Sequence, residues 1–312
     1  MRRISLLLTL FATALACLLH AVPAQAQPIR VFVALTGSDA NPCTFASPCK
    51  SAQHAHDVVA AGGEVRMLDP GSYGLLTITK SISILGDGHG GIAASGGAVA
   101  ITINAGANDS VNIRGLVIEG FGTGSEGIKV NSGASLNIQD SIIRKFTGAG
   151  IDYVTTTFGS QLNVSRTIVS DMATGSNSVN IAPTGPGTVN GVFDRVELDR
   201  GDNGLVVINT NSTSQKINLT IVDSVVSNNA TSGILVGANA LAQVMVQNCT
   251  ISNNGAGLIP LALAIVRVTR SAITGNTTGF VSTLGGSLIS FGDNSLAGNT
   301  TDGAPTSTLA LH

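Results

Sequence analysis

Residues 194–202, Asp194-Arg195-Val196-Glu197-Leu198-Asp199-Arg200-Gly201-Asp202, form the densest cluster of ionisable side chains in the chain. In an extended segment side chains alternate between two faces, so Arg195, Glu197 and Asp199 would share one face at steps of about 7 Å. Two carboxyls at such a spacing can divide the work of cleaving a glycosidic bond. One protonates the leaving oxygen, and the other activates a water or attacks directly. A neighbouring Arg would orient an acidic group or stabilise developing charge. Glu197, Asp199 and Arg195 are therefore the candidate catalytic residues, for a hydrolase or lyase acting on acidic polysaccharide. The competing reading is that these charges pair among themselves on a solvated face.

A repeat must position them. The segment Val244–Asn254, VMVQNCTISNN, recurs as VNIRGLVIEGF at Val111, LNIQDSIIRKF at Leu136 and LNVSRTIVSDM at Leu162. It returns as GVFDRVELDRG at Gly191, LTIVDSVVSNN at Leu219 and VRVTRSAITGN at Val266. Aligned on Asn248, the units place Gly115, Asp140, Arg166, Arg195, Asp223, Asn248, Arg270 and Asp293 in one column, 22 to 29 residues apart. A period of that size indicates a solenoid. Alternating apolar residues within each unit indicate strands, and no unit holds a helix that could cross over between them. The alignment predicts inward columns containing Leu116, Ile118, Ile143, Val169, Leu198, Val226, Cys249, Ile251 and Ile273. Ser141, Thr167 and Ser224 also point inward and need partners there. Glu197 is the one acid in a column of Val117, Ile142, Ile168, Val225, Thr250 and Ala272. Arg195 with Asp223, and Arg166 with Asp140, read as ion pairs between adjacent coils. Asn229, Asn254, Asn276 and Asn299 read as a ladder of stacked amides.

Upstream, Arg2 and Arg3, an apolar run from Ile4 to Leu19 and Ala24-Gln25-Ala26 form the pattern of a signal peptide over residues 1–26. The remainder is then secreted or periplasmic, with no membrane span after cleavage. Residues 27–63 hold an opening strand, a loop and a helix, residues 64–299 the solenoid, and residues 300–312 a loose tail or last edge cover. Cys43 and Cys49 in an oxidising compartment predict a disulfide, worth roughly 2 kcal/mol for so short a loop. The rival is a metal or redox pair assisted by His54 and His56, and no familiar zinc spacing supports it. Ser51–Ala61 reads as a helix that caps the first coil, with Ser51 as N-cap and the two histidines on its solvated side.

Composition narrows the function. Charged residues make up 11% and the net charge is −2, which gives no footprint for nucleic acid. Trp is absent and Tyr occurs twice, so broad aromatic sugar-stacking surfaces are not expected. Ser, Thr and Asn replace long charged side chains, which suits short turns and stacked ladders.

The opening stretch VFVALTGSDANPC…SPCKSAQHAHDVVAAGGEVRMLDPGSYG, then TITKSISILG and the later repeats, resembles the pectate-lyase-like superfamily. The resemblance implies an all-β, right-handed parallel β-helix with three sheets and a short N-terminal capping helix. It leaves activity open, because lyases, hydrolases, esterases, adhesins and non-catalytic modules share that fold. Gly88-His89-Gly90 matches one element of the polygalacturonase set, but its Asn-Thr-Asp and Asp-Asp companions do not precede it. Pectate lyases gather carboxylates around calcium, whereas Ser170 and Ser227 flank Asp199 here, so no metal site is expected. No other cofactor is implied. Glu119, Glu126 and Lys129, with Arg144 and Lys145 on the next coil, form a third charged group. The resulting expectation is a non-catalytic binding or structural module, glycan-interacting, with a polysaccharide or cell-envelope component as partner. The alternative is the carbohydrate-active enzyme of the first paragraph.

Overall fold

The computed structural model describes residues 27–208, 216–237, 242–283 and 285–310. The expected signal peptide lies outside them. Among the described residues three parallel sheets of twelve, ten and nine strands wind into a right-handed solenoid of about 8 turns. Each coil passes through sheet 1, then sheet 2, then sheet 3. Ser110–Arg114, Val117–Glu119 and Glu126–Ser132 are one such set.

Apolar alternation builds the core. Ile84, Ile113, Ile138, Val164, Phe193, Ile221, Val246 and Val268 lie in one continuous register through sheet 1, and all are buried. Burying one such side chain contributes about 1.5–3 kcal/mol relative to leaving it in water. The inward positions expected from the repeat, from Leu116 to Ile273, are all buried.

Between sheets 1 and 2 the chain turns through a single left-handed residue. Gly115, Asp140, Arg166, Arg195, Asp223, Asn248 and Arg270 occupy that position, with φ between 46° and 66°. For residues other than Gly this costs roughly 1–2 kcal/mol. The inward residue that follows helps hold the turn. Ser141 Oγ donates to the Gln139 carbonyl at 2.7 Å and accepts from Leu116 N–H at 3.2 Å. Ser224 repeats this with the Val222 carbonyl and Val196 N–H. Cys249 fills the same slot, its Sγ 3.1 Å from the Gln247 carbonyl, and burial pushes its thiol up to about 11. It is a buried packing residue.

The turn from sheet 2 to sheet 3 carries the asparagine ladder. Asn229 N–H and Nδ2 donate to Asn254 Oδ1 at 3.0 and 2.9 Å, and Asn254 does the same to Asn276 Oδ1. Asn276 donates likewise to Asn299, which donates to Asp302 Oδ1 at the end of the stack. Where sheet 3 begins, Gly127, Gly150, Ser178, Gly204, Gly233, Gly257 and Gly279 share one column, glycine at every rung but one. A Cβ at Gly150 would lie 2.3 Å from Val169 Cγ1, so sheet 2 side chains occupy that space.

At the N-terminal end Cys43 and Cys49 are disulfide-bonded, with Cα atoms 4.6 Å apart. Helix α1, Ala52–Val58, starts at Ser51, whose Oγ accepts from His54 N–H at 3.2 Å. Ala52, Ala55 and Val59 pack into the first coil. His56 departs from the solvated position expected of it and is buried. Thr79 N–H donates to its Nε2 at 3.2 Å, which leaves the Nδ1 proton for Asp57 Oδ1 at 2.8 Å. It is a satisfied core histidine. At the far end Ser307–Thr308 adds a last strand to sheet 1 beside Ser287–Ser290. Among the described residues no helix is long and apolar enough to cross a membrane.

Candidate functional site

The three candidate catalytic residues do not form one constellation. Strand Glu197–Asp199 belongs to sheet 2, but Arg195 precedes it in the left-handed turn. Its guanidinium holds Asp194 of its own coil, with Nη2 at 2.6 Å from Oδ2. Asp223, the partner expected for it, instead accepts from Asn248 Nδ2 at 2.6 Å. The Arg166–Asp140 pair is present, Nε to Oδ1 at 2.6 Å, and Arg114 approaches the same carboxylate at 3.2 Å. Arg166 is the main reason the Asp140 carboxyl lies below the usual carboxylate range.

Glu197 projects to solvent between half-exposed Ile168 and Val225. Among the described residues no hydrogen bond or ion pair holds its carboxylate, which acts on Arg200 only through its charge. Asp199 is the opposite case, at 2% exposure. Its Oδ1 accepts from Ser227 Oγ at 3.0 Å and Asn228 Nδ2 at 2.7 Å, and its Oδ2 pairs with Arg200 Nη1. Arg200 also clamps Asp171, Nε to Oδ1 at 2.6 Å and Nη2 to Oδ2 at 3.2 Å, and so holds that carboxyl well below its ordinary range. Both oxygens of Asp199 are committed within the protein. A catalytic base or nucleophile needs a lone pair aimed at substrate, and Asp199, 2% exposed, turns both oxygens to partners inside the protein.

The third charged group divides between two places. Lys129 bridges Glu126 and Asp152 on sheet 3, at 3.0 and 3.4 Å. Glu119 sits at the end of its sheet 2 strand, where Arg144 Nε lies 2.5 Å from Oε2 and Lys145 Nζ 3.7 Å from Oε1. His89, from the Gly-His-Gly segment, lines the same shallow depression as Glu119.

The outer face of sheet 1 is chemically different. Asn163 Nδ2 donates to Asn137 Oδ1, and Asn137 Nδ2 to Asn112 Oδ1, each at 2.9 Å. Beside them Asn218 Nδ2 donates to Asn190 Oδ1 at 3.2 Å. Across these columns lies a cavity of about 370 Å³ lined by Gln161, Asn163, Asn190, Gly191, Val192, Asn218, Leu219 and Thr220. No lining residue is charged. The side chains present amide and hydroxyl groups at rungs about 4.8 Å apart.

No known family's sequence profile matches this chain, and no curated protein matches it. Among solved structures it is similar to the pectate lyase Pel9A, with a TM-score of 0.56 at 15% identity, over 86% of this chain and 73% of that one. It is also similar to ORF18 of Geobacillus virus E2, with a TM-score of 0.50 at 12% identity, over 90% of this chain and 61% of that one. The chain has the pectate-lyase-like β-helix fold. At these identities the likeness concerns architecture, and the side chains of this β-helix must be judged on their own geometry.

Sequence reading missed the amide cavity. The signal was present in the aligned Asn112, Asn137 and Asn163, but the reading looked for titratable groups. That His89 and Glu119 line one depression was not legible either, because the repeat is recognisable only from Val111 onward and His89 lies before it.

Proposed function

We propose that this β-helix is an exported, non-catalytic module that binds a glycan along the outer face of sheet 1. The observation that carries this reading is the uncharged, amide-lined cavity of about 370 Å³ that lies where the Asn112–Asn137–Asn163 column ends at Val192, beside the Asn190–Asn218 pair. Sugar hydroxyls are both donors and acceptors, and amides can meet both roles in one side chain. Each such bond is worth only about 0.5–1.5 kcal/mol net. Useful affinity would therefore come from several rungs engaged together along the solenoid axis. Export, to the periplasm or beyond the cell, rests on the signal-peptide pattern of residues 1–26, and the partner is then a polysaccharide or cell-envelope component.

The test is binding of the mature protein to a panel of neutral and acidic polysaccharides by calorimetry, beside Asn163→Ala, Asn190→Ala and Asn218→Ala. Loss of binding in these variants, with no product released from any polysaccharide, is the expected result. One observation favours a second reading: Glu197 is an unpaired, exposed carboxylate on an apolar stripe. Release of reducing or unsaturated ends that disappears in Glu197→Gln would replace the binding reading with a hydrolase or lyase.

A further inference from the structure

A second depression, of about 250 Å³, lies on the outer face of sheet 2 near its N-terminal end. Gly91 occupies the outward column position that Val117 and Ile142 fill in the next two coils. A Cβ at Gly91 would lie 2.3 Å from the Val117 carbonyl oxygen, so the strands approach closely here, and the pit has an apolar floor of Gly91, Ala93 and Val117. Phe121, 64% exposed and held in a left-handed turn at φ 51°, forms one wall, and His89 another.

Glu119 also lines this pit and is only 8% exposed. Its Oε2 is satisfied by Arg144, but its buried Oε1 accepts no hydrogen bond. A buried carboxylate oxygen without a donor is costly, and native structures seldom leave one so. The Lys145 ammonium stands 3.7 Å from it on a half-exposed side chain, which can swing aside and admit a donor. The missing partner is therefore a hydrogen-bond donor that enters from the pit.

The surroundings restrict what carries that donor. Arg144 and Lys145 already outnumber the Glu119 charge, so an added cation gains little. An acidic group is disfavoured only where it would face Glu119 Oε1 itself, since that oxygen needs a donor and a second carboxylate supplies none. An apolar floor with an exposed aromatic face favours a flat, partly apolar ring, which stacks at small entropic cost. The volume suits one such ring rather than a chain of them. We propose that this depression is a separate binding site for a single neutral sugar ring. One hydroxyl donates to Glu119 Oε1, the ring packs on Phe121, and His89 bonds a second hydroxyl. The site lies on a different sheet from the amide face and stands or falls independently of it.

The experiment is an NMR titration of the mature protein, following the Phe121 and His89 ring resonances. The probes are methyl β-glucoside, methyl β-galactoside and methyl α-mannoside, with glucuronate and glucosamine as charged controls. At least one neutral glycoside should move both rings, and the controls should not. Phe121→Ala, an exposed substitution that leaves the core intact, should weaken that binding by about 10-fold or more. Lys145→Ala should bind at least as well as the parent. Silence of both rings at tens of millimolar of every glycoside would overturn the proposal. So would equal shifts from the charged controls, or unchanged affinity in Phe121→Ala. Shifts confined to Asn190 and Asn218 would support the sheet 1 reading and overturn this one.

Discussion

The interior column at the turn from sheet 2 to sheet 3 is built in two ways along one molecule. In the earlier coils Phe146 and Met172 fill it as apolar side chains. In the later coils Asn229, Asn254, Asn276 and Asn299 fill it, each amide bonded to the next. Both halves pack closely, but their energetics differ. Dispersion and burial at Phe146 depend on whatever surrounds it, so damage there stays local. Each asparagine is a donor to one coil and an acceptor from another, so damage to one strands groups on both sides.

The largest effect expected is Phe146→Ala, which leaves a void in a closed core and should lower stability by about 3–5 kcal/mol in urea unfolding. Asn254→Ala follows, at roughly 2–4 kcal/mol. It orphans Asn229 N–H, which donates to Asn254 Oδ1 at 3.0 Å, and removes the amide donor that the Val226 carbonyl meets at 3.1 Å. The comparison is sharpened by combining changes. Asn229→Ala with Asn254→Ala should deviate from additivity by about 0.5–3 kcal/mol, whereas Phe146→Ala with Asn254→Ala should add. Additivity in the asparagine pair would break the distinction between the two halves.

Acid should act on the outer surface before it acts on either column. Asp140 and Asp171 have folded pKa values depressed by Arg166 and Arg200 respectively. Their charged forms therefore contribute stability at pH values above the ordinary carboxylate range, near about 4. That contribution is lost as pH falls towards the depressed folded values. Melting temperature should decline below about pH 4, and Asp171→Asn should flatten that decline. The smallest effect expected is Arg195→Ala. Its pair with Asp194 is exposed, so unfolding measurements should register less than about 1 kcal/mol.

Much of this was legible in the residues. The column of apolar alternation, the disulfide and the asparagine ladder are local patterns repeated at a nearly fixed interval, and stacking turns each repetition into contact. The turns were less legible. Reading Arg195, Glu197 and Asp199 as one strand face assumed that alternation ran unbroken through the segment. In fact Phe193 and Val196 both point inward, with two outward residues, Asp194 and Arg195, between them. That doubled step recurs as Arg114-Gly115 and as Val222-Asp223. It is the mark of a left-handed turn between sheets.

The sequence by itself determined that this chain is a stacked parallel solenoid, because inward apolar positions returning every 22 to 29 residues have no other common solution. It also determined which asparagines would stack. Only the tertiary structure decided which charges remain available. Asp199 is spent on Arg200, Ser227 and Asn228, and the Glu197 carboxylate is left exposed without an ion pair. It also decided that His89 and Glu119 would line one depression on sheet 2. The reason is physical. Burial follows from a periodic pattern along the chain, but the partner of a charged group is set by which side chains neighbouring coils bring within about 3 Å.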